Sequence, residues 1–405
     1  MGLFNVKRPI IMIVLINLAG YGLLSLFEQK FDVDMLYVGL AVVSMLCFSY
    51  FLTSACGVQD GYIFLIVAML FSVGEIMLYR IDEFYGHRQL IWLAISLVCF
   101  FIIYLLVMKL NLWTKLGYFY YVTAILLLVL TLLIGTTAGG AKNWITFRQF
   151  GFQPSEVAKL LTVFFLADRF AKPERYIFRN FSAGAVTSVL IYAEIGLMVL
   201  QREWGTSVLL FLIYISMMYV FGEKKKILLF NILFGCVGAL LGALLVPHIK
   251  VRIDVWLDPW SDITGRGYQI TQSLFAIGSG GFFGSGIGLG SPEYIPEVHS
   301  DFIFSAICEE FGLLGGVAVV MLYFILVYRG IRIAMQNNNA FYRCVAAGIS
   351  ALFGFQTFII LGGVIKLIPL TGITLPFISY GGSSLLISFS AVAVLEAIAN
   401  RRGLA

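Results

Sequence analysis

The chain has 405 residues, of which 60% are hydrophobic and only 12% are charged. A soluble domain carries about 25% charged residues, and a globule of this size cannot bury so much apolar surface. The composition therefore excludes soluble enzymes, disordered chains and secreted disulfide scaffolds, and it leaves a multi-pass membrane protein. The net charge of +5 does not indicate nucleic acid, because cytoplasmic loops of membrane proteins are enriched in Lys and Arg.

Continuous apolar runs follow one another along the chain, and a helix that crosses a membrane needs about 20 such residues. Strands are not expected in these runs, because the runs do not alternate and lipid does not tolerate an open sheet edge. The expected fold is an all-α polytopic helical bundle. We predict twelve spans: 9–27, 35–53, 60–79, 89–108, 116–135, 154–170, 181–200, 206–221, 227–247, 302–328, 341–365 and 379–399.

Basic residues predict the orientation of the spans. Lys224, Lys225 and Lys226 occupy one short loop, and further basic residues cluster between 167 and 180. Lys and Arg mark cytoplasmic loops, so both termini are predicted to lie in the cytoplasm. Segments rich in Gly, Pro and Trp then face outward, and so does the working surface; these segments are 136–156, 201–205, a large extracellular loop at 248–300, and 366–384.

Glu156 and Lys159 are charges at the start of a predicted span, where Pro154 suits the first turn of a helix. A spacing of three puts both side chains on one helical face, so a structural ion pair is one interpretation. Lys159 lies one turn into the membrane, however, which capping does not explain. Ionisable residues at that depth are functional candidates by default.

Asp301 directly precedes the span that begins at 302, and it follows Glu293 and His299 in the chain. It is either an N-cap or a functional carboxylate held at the outer membrane face. Glu309 and Glu310 lie about two turns deeper and are interpreted as network residues, because buried acids need partners. No spacing of Cys or His residues indicates a metal site.

Two segments rich in glycine or proline are unusual for a membrane protein. The run 278–290 does not fit a Rossmann fingerprint, which needs a strand before it and a helix after it; an external loop that offers backbone N–H groups to phosphate fits better. The stretch Pro369–Ser384 predicts a non-helical or re-entrant segment. Such backbone is tolerated only where it is buried in protein or lines a wet cavity.

These residues closely resemble the SEDS family of cell-wall proteins, which includes RodA, FtsW and SpoVE. The resemblance covers about 60–400 in family order. Three positions depart from the family pattern: Asn143 where Arg is common, Arg202-Glu203-Trp204 where Gln-Pro-Asp is usual, and Ile360 where Asn is common. The matching stretches are Gly140-Ala141, Trp144-Ile145, Gln153 to Lys159, Gly205-Thr206, Asp258-Pro259, Gly267 to Ser273, Pro296 to Phe304, Glu309 to Gly312, and Pro369 to Ser384.

The resemblance implies a peptidoglycan glycosyltransferase of the cytoplasmic membrane that polymerises lipid II and works with a class B penicillin-binding protein. It also implies a ten-helix core at 60–405, preceded by two additional N-terminal helices at 1–59. Asp301 matches the family's essential aspartate, the candidate base. The other expected site residues are substrate-binding: Lys159, Glu156, Arg88, Lys142, Glu293, His299, Arg252 and Ser383.

Pyrophosphate leaves without protonation, so one base and several cations suffice for the reaction, whereas glycosidases need a second carboxyl group as an acid. A divalent cation would share the work of the basic residues, but no ligand set in the sequence identifies one. Two alternatives stay open: a transporter that flips lipid-linked precursors, and a non-catalytic scaffold for a transpeptidase. The sequence does not distinguish elongation, division and sporulation.

Overall fold

The computed structural model describes residues 7–27, 33–58, 60–147, 150–177 and 182–401. Each of the twelve predicted spans falls on an α-helix. The helices are α1 Lys7–Phe27, α2 Val33–Ala55, α3 Gly61–Ile81, α4 Glu83–Lys109, α5 Gly117–Ile134, α6 Pro154–Ala171, α7 Ala183–Leu200, α8 Trp204–Val220, α9 Lys225–Leu245, α10 Pro247–Leu257, α11 Tyr268–Ser279, α12 Ile303–Gln336, α13 Ala340–Val364 and α14 Gly382–Arg401.

Among the described residues, ten helices are long and apolar enough to cross a membrane. The other two predicted spans correspond to α8, which has 17 residues, and to α6, which carries four charged side chains. Few residues of a lipid-facing helix are buried, as in α9, where 11% of the most apolar stretch is buried; in α3 the share is 78% and in α14 it is 94%, so these two are interior helices. The predicted helical membrane fold is confirmed.

A small antiparallel sheet was not predicted from the sequence. Its strands are β1 Thr136–Ala138, β2 Ala141–Phe147 and β3 Phe150–Phe152, in the order β1-β2-β3. Gly139 and Gly140 join the first two strands, and both have positive φ angles, as a two-residue hairpin requires. The argument against strands holds for apolar runs in lipid, but this segment lies outside those runs, so its backbone can pair as a sheet.

The outer loop predicted at 248–300 contains α11 and most of α10. The stretch 369–384, predicted to be non-helical, is so up to residue 381, and its last three residues lie in α14. Residues 365–381 form an irregular segment in which Leu375, Phe377 and Ile378 are buried. The helix α12 is interrupted at Gly312, whose φ of 68° and ψ of −170° are not helical. These interruptions shape the backbone around the candidate site.

The chain divides into two compact units. The first comprises 1–102, 254–326 and 360–392, and the second comprises 103–253, 327–359 and 393–405. In the first unit, α1 and α2 pack against α3. Asn17 of α1 is 1% exposed and donates from Nδ2 to Ser72 Oγ of α3 at 2.8 Å. A hydrogen bond between two buried polar side chains therefore joins α1 to α3.

Candidate active site

Asp301 lies in a tight turn immediately before α12. The N–H groups of Ser300 and Asp301 both donate to the Glu297 carbonyl oxygen, at 3.1 and 3.2 Å. Glu297 has a φ of 54°, a conformation that non-glycine residues rarely adopt. We call residues 297–302 the Asp301 turn. The turn leaves Asp301 half-buried, two residues before the first residue of α12.

Aromatic side chains surround His299 in this turn. Its ring stacks on Tyr85 with a centroid distance of 4.1 Å and an angle of 9°, and Tyr380 packs against Tyr85 at 4.8 Å. Burial lowers the pKa of His299 from its usual value, while Glu297 and Asp82 act in the opposite direction. Since burial is the larger effect, the neutral imidazole is favoured beside Asp301.

The other predicted residues of the first unit occupy different environments. Arg88 lies one turn after Tyr85 on α4, with its guanidinium 4.7 Å from the centre of the Phe84 ring. Ser383 is buried in the first turn of α14. Glu293 is exposed on a short helical turn, Pro292–Tyr294. Tyr85 and Arg88 share one face of α4. The face of α4 on which His299 stacks therefore also carries the basic side chain of Arg88.

The glycine-rich loop (278–290) is fastened to Glu309 and Glu310 of α12. Gly288 donates its N–H to Glu310 Oε2 at 3.0 Å, and Arg80 lies with Nε 3.4 Å from Glu310 Oε1. The N–H of Ser291 donates to Glu309 Oε1 at 3.1 Å. Both acids therefore have partners, and Glu310 occupies the Gly288 N–H, one of the backbone donors suggested for phosphate.

In the second unit, Lys159 and Glu156 form a buried ion pair. Lys159 Nζ lies 2.8 Å from Glu156 Oε1 and 3.3 Å from Gln356 Oε1. Lys159 is 1% exposed. Charges are costly to bury alone, and in this pair each charged side chain is in contact with an opposite one. The ion pair that the spacing of these two residues suggested is present in the structure.

Glu203 is a buried acid beside the start of α6 that the sequence did not single out as a candidate. It is 5% exposed, and it accepts hydrogen bonds from Gln153 Nε2 at 2.6 Å and Ser155 Oγ at 2.9 Å. Burial raises the pKa of Glu203, and hydrogen bonds from Gln153, Asn143 and Ser155 oppose that shift. The signal in the sequence was that Asn143 and Glu203 both depart from the family pattern; in the structure these two positions interact.

Lys142 and Arg252 complete the predicted set. Lys142 in β2 donates from Nζ to the Leu132 carbonyl oxygen at 2.7 Å, so its charge lies at the negative end of α5. Arg252 is half-buried on α10. The pKa of His248 is lowered by burial and by the charges of Arg252 and Arg202, which places these two guanidinium groups near one imidazole.

A divalent cation receives no defined ligand set from this arrangement. Within the parts of the chain that the structure describes, no group of three or more His, Cys, Asp or Glu side chains is arranged to hold a metal ion.

Known proteins resemble this chain in sequence and in structure. RodA of Mycobacterium tuberculosis, named a peptidoglycan glycosyltransferase, is 32% identical over 365 residues, which are 84% of this chain and 78% of that protein. Stage V sporulation protein E of Bacillus subtilis is 36% identical over 354 residues, which are 83% of this chain and 95% of that protein.

Among solved structures, RodA of Thermus thermophilus superposes with a TM-score of 0.63 at 27% identity, covering 85% of this chain and 97% of that one. A chain from work described as "Structural coordination of polymerization and crosslinking by a peptidoglycan synthase complex" superposes with a TM-score of 0.72 at 27% identity, covering 85% of this chain and 98% of that one. The family model described as "Cell cycle protein" matches residues 52–403, and the chain therefore belongs to the FtsW, RodA and SpoVE family.

Proposed function

We propose that the chain polymerises lipid II into glycan strands at the outer face of the cytoplasmic membrane, with Asp301 as the general base. The activity class rests on the family relationship, because relatives that cover most of the chain are named peptidoglycan glycosyltransferases. The observation that carries the assignment of Asp301 is its half-buried position in a hydrogen-bonded turn at the start of a transmembrane helix.

The reaction forms one glycosidic bond and breaks one bond to phosphate. Asp301 takes the proton of the acceptor sugar's 4-hydroxyl as that oxygen attacks C1 of the donor sugar. The C1–O bond to the lipid diphosphate breaks, and the diphosphate leaves with the bonding electrons. No acid is needed on the leaving side, in contrast with a glycosidase.

The basic residues serve the diphosphate in this proposal. Lys159, Arg88, Lys142 and Arg252 supply positive charge, because fixed cations near developing negative charge lower the barrier. Glu156 holds Lys159 in place through their 2.8 Å contact. Glu293, His299 and Ser383 are the remaining substrate-binding residues of the proposal. A divalent cation is assigned no step.

Localisation and partnership are part of the same proposal. Both termini lie in the cytoplasm, as the Lys224–Lys226 loop predicts, and the Asp301 turn faces outward. The partner is a class B penicillin-binding protein, which would cross-link the strands made here. The description of the related synthase complex, which couples polymerization and crosslinking, supports such a pairing. Residues 1–59 are an addition to the family core at 60–405.

The test is polymerisation of lipid II by the purified full-length chain, with and without a class B penicillin-binding protein. Asp301→Asn is expected to fold, insert and lose glycan synthesis, while Asp254→Asn, a change at an exposed position on α10, keeps it. Polymer formation by the Asp301→Asn protein would refute the base assignment.

A second assay separates the alternatives. Labelled lipid II in sealed vesicles reports flipping, and the proposed enzyme is expected to leave the label on its original side. Flipping without polymer would favour a transporter. Growth of cells that carry Asp301→Asn would favour a scaffold, since a scaffold does not need the base.

A further inference from the structure

The chain just before Asp301 is held by two consecutive residues of the irregular segment 365–381. The Ser379 hydroxyl donates to the Ser300 carbonyl oxygen at 2.6 Å, and the Tyr380 N–H donates to the His299 carbonyl oxygen at 2.9 Å. Two adjacent carbonyl groups are thus bound by two adjacent residues. These two hydrogen bonds hold the peptide units 299–300 and 300–301, which lead into Asp301.

Ser379 is itself fixed from two other directions. Its hydroxyl accepts a hydrogen bond from the Leu375 N–H at 2.9 Å, and its carbonyl oxygen accepts one from Gln89 Nε2 at 3.3 Å. Ser379 is 4% exposed, and Gln89 is fully buried. The hydroxyl proton has no free rotation in this arrangement, because Leu375 occupies a lone pair and Ser300 takes the proton.

We infer that Ser379 is a positioning residue for catalysis, which aims the Asp301 carboxylate through the Ser300 carbonyl. This inference rests on the proposed role of Asp301. A base must stand within hydrogen-bond reach of the proton that it removes, and a displacement of about 1 Å can cost about 100-fold in rate. Ser379 contributes to turnover without touching the substrate.

The experiment compares Ser379→Ala with Ser379→Thr, which restores the hydroxyl. The matched control is Ser390→Ala, because Ser390 is also buried, at 1% exposure, and donates to the Leu386 carbonyl of its own helix at 2.7 Å. The readouts are the thermal unfolding midpoint of each full-length protein and kcat and KM for lipid II polymerisation.

Ser379→Ala is expected to lower kcat about 10- to 100-fold while KM changes less than about threefold, since substrate contacts remain. Ser379→Thr is expected to recover most of the lost kcat, and Ser390→Ala to retain kcat. The inference is overturned if Ser379→Ala keeps kcat within about twofold of the parent, if only KM rises, or if Ser390→Ala loses as much.

Failure of this inference differs from failure of the proposed function. If Asp301→Asn is inactive while Ser379→Ala keeps its kcat, only the positioning role is wrong. If Asp301→Asn polymerises lipid II, the base assignment is wrong whatever Ser379→Ala does. Should Ser379→Ala fail to fold, the Ser379→Thr kcat decides: a value within about tenfold of the parent supports the positioning role, and a larger loss overturns it.

Discussion

Arg80 and Glu310 meet at 3.4 Å between Nε and Oε1, and both also bind the glycine-rich loop. Arg80 Nη2 donates to the Gly288 and Gly290 carbonyl oxygens, each at 3.2 Å. Glu310 accepts from the Gly288 N–H. One buried acid therefore links α3, α12 and the loop that leads to the Asp301 turn.

Glu310→Gln is expected to destabilise the protein by about 3 kcal/mol, because the change leaves the partly buried Arg80 without its counter-charge. The measurement is the thermal unfolding midpoint in detergent. Glu174→Gln, at an exposed acid, is the control and should leave the midpoint unchanged. Equal midpoints for the two variants would show that the Arg80 contact is unimportant.

Gly284→Ala tests the close approach between the loop and α12. A Cβ at Gly284 would lie 2.2 Å from the Glu310 carbonyl oxygen, and the φ of this residue is 87°. Gly222 has a similar φ of 76° but nothing within 4 Å of an added Cβ. Gly222→Ala should cost about 1–2 kcal/mol for the backbone alone, and Gly284→Ala should cost clearly more. Similar unfolding midpoints would contradict the close approach.

A double change separates the two interpretations of Lys159. Lys159→Met leaves Glu156 buried without its partner and should cost about 3–5 kcal/mol. Adding Glu156→Gln removes the stranded charge and should restore most of the unfolding midpoint. If Lys159 also serves the diphosphate, the double variant stays inactive despite its stability. Recovery of polymerisation together with stability would make the pair structural only.

The pH dependence of stability reports on His299. Its pKa is lowered in the folded protein by burial, and Glu297 and Asp82 reduce that shift. In the unfolded chain, His299 has a pKa of about 6.5. The neutral His299 therefore makes its full contribution to stability above that pH, and this contribution is lost as the pH falls through the lower pKa of His299 in the folded protein.

The unfolding midpoint of the parent is expected to fall between about pH 7 and pH 5, a range that includes the reference pKa of histidine. His299→Gln is therefore expected to make this fall smaller. His87→Gln, at an exposed position, is the control and should keep the decline of the parent. The prediction is wrong if the two variants give the same profile.

The helices were predictable from sequence because a segment that crosses the lipid must be apolar over about 20 consecutive residues. The sheet was not, because β1 and β3 have only three residues each, too few to show a period. The hydrogen bonds of Glu203 could not be predicted either, because its partners Gln153 and Ser155 lie 50 and 48 positions away. Family membership and the class of activity were predicted and are confirmed.

Asp301 was found through a local motif, whereas the support of its turn is not local. The motif around His299 and Asp301 is contiguous in the sequence. The contact of Ser379 with Ser300 is recognisable only in three dimensions, because a buried serine in a proline- and glycine-rich stretch has many partners that it could adopt. Sequence therefore identified the candidate base and not the residue that aims it.

The contact between Ser379 and Ser300 spans 79 positions of the chain, and this has a consequence for biogenesis. Synthesis proceeds from the N-terminus, so α12 is made well before residue 379 leaves the ribosome. The Asp301 turn then lacks two of its backbone hydrogen-bond partners until the segment before α14 has been inserted. The nascent membrane protein thus acquires its proposed base in working order only after residues 379 and 380 have been made.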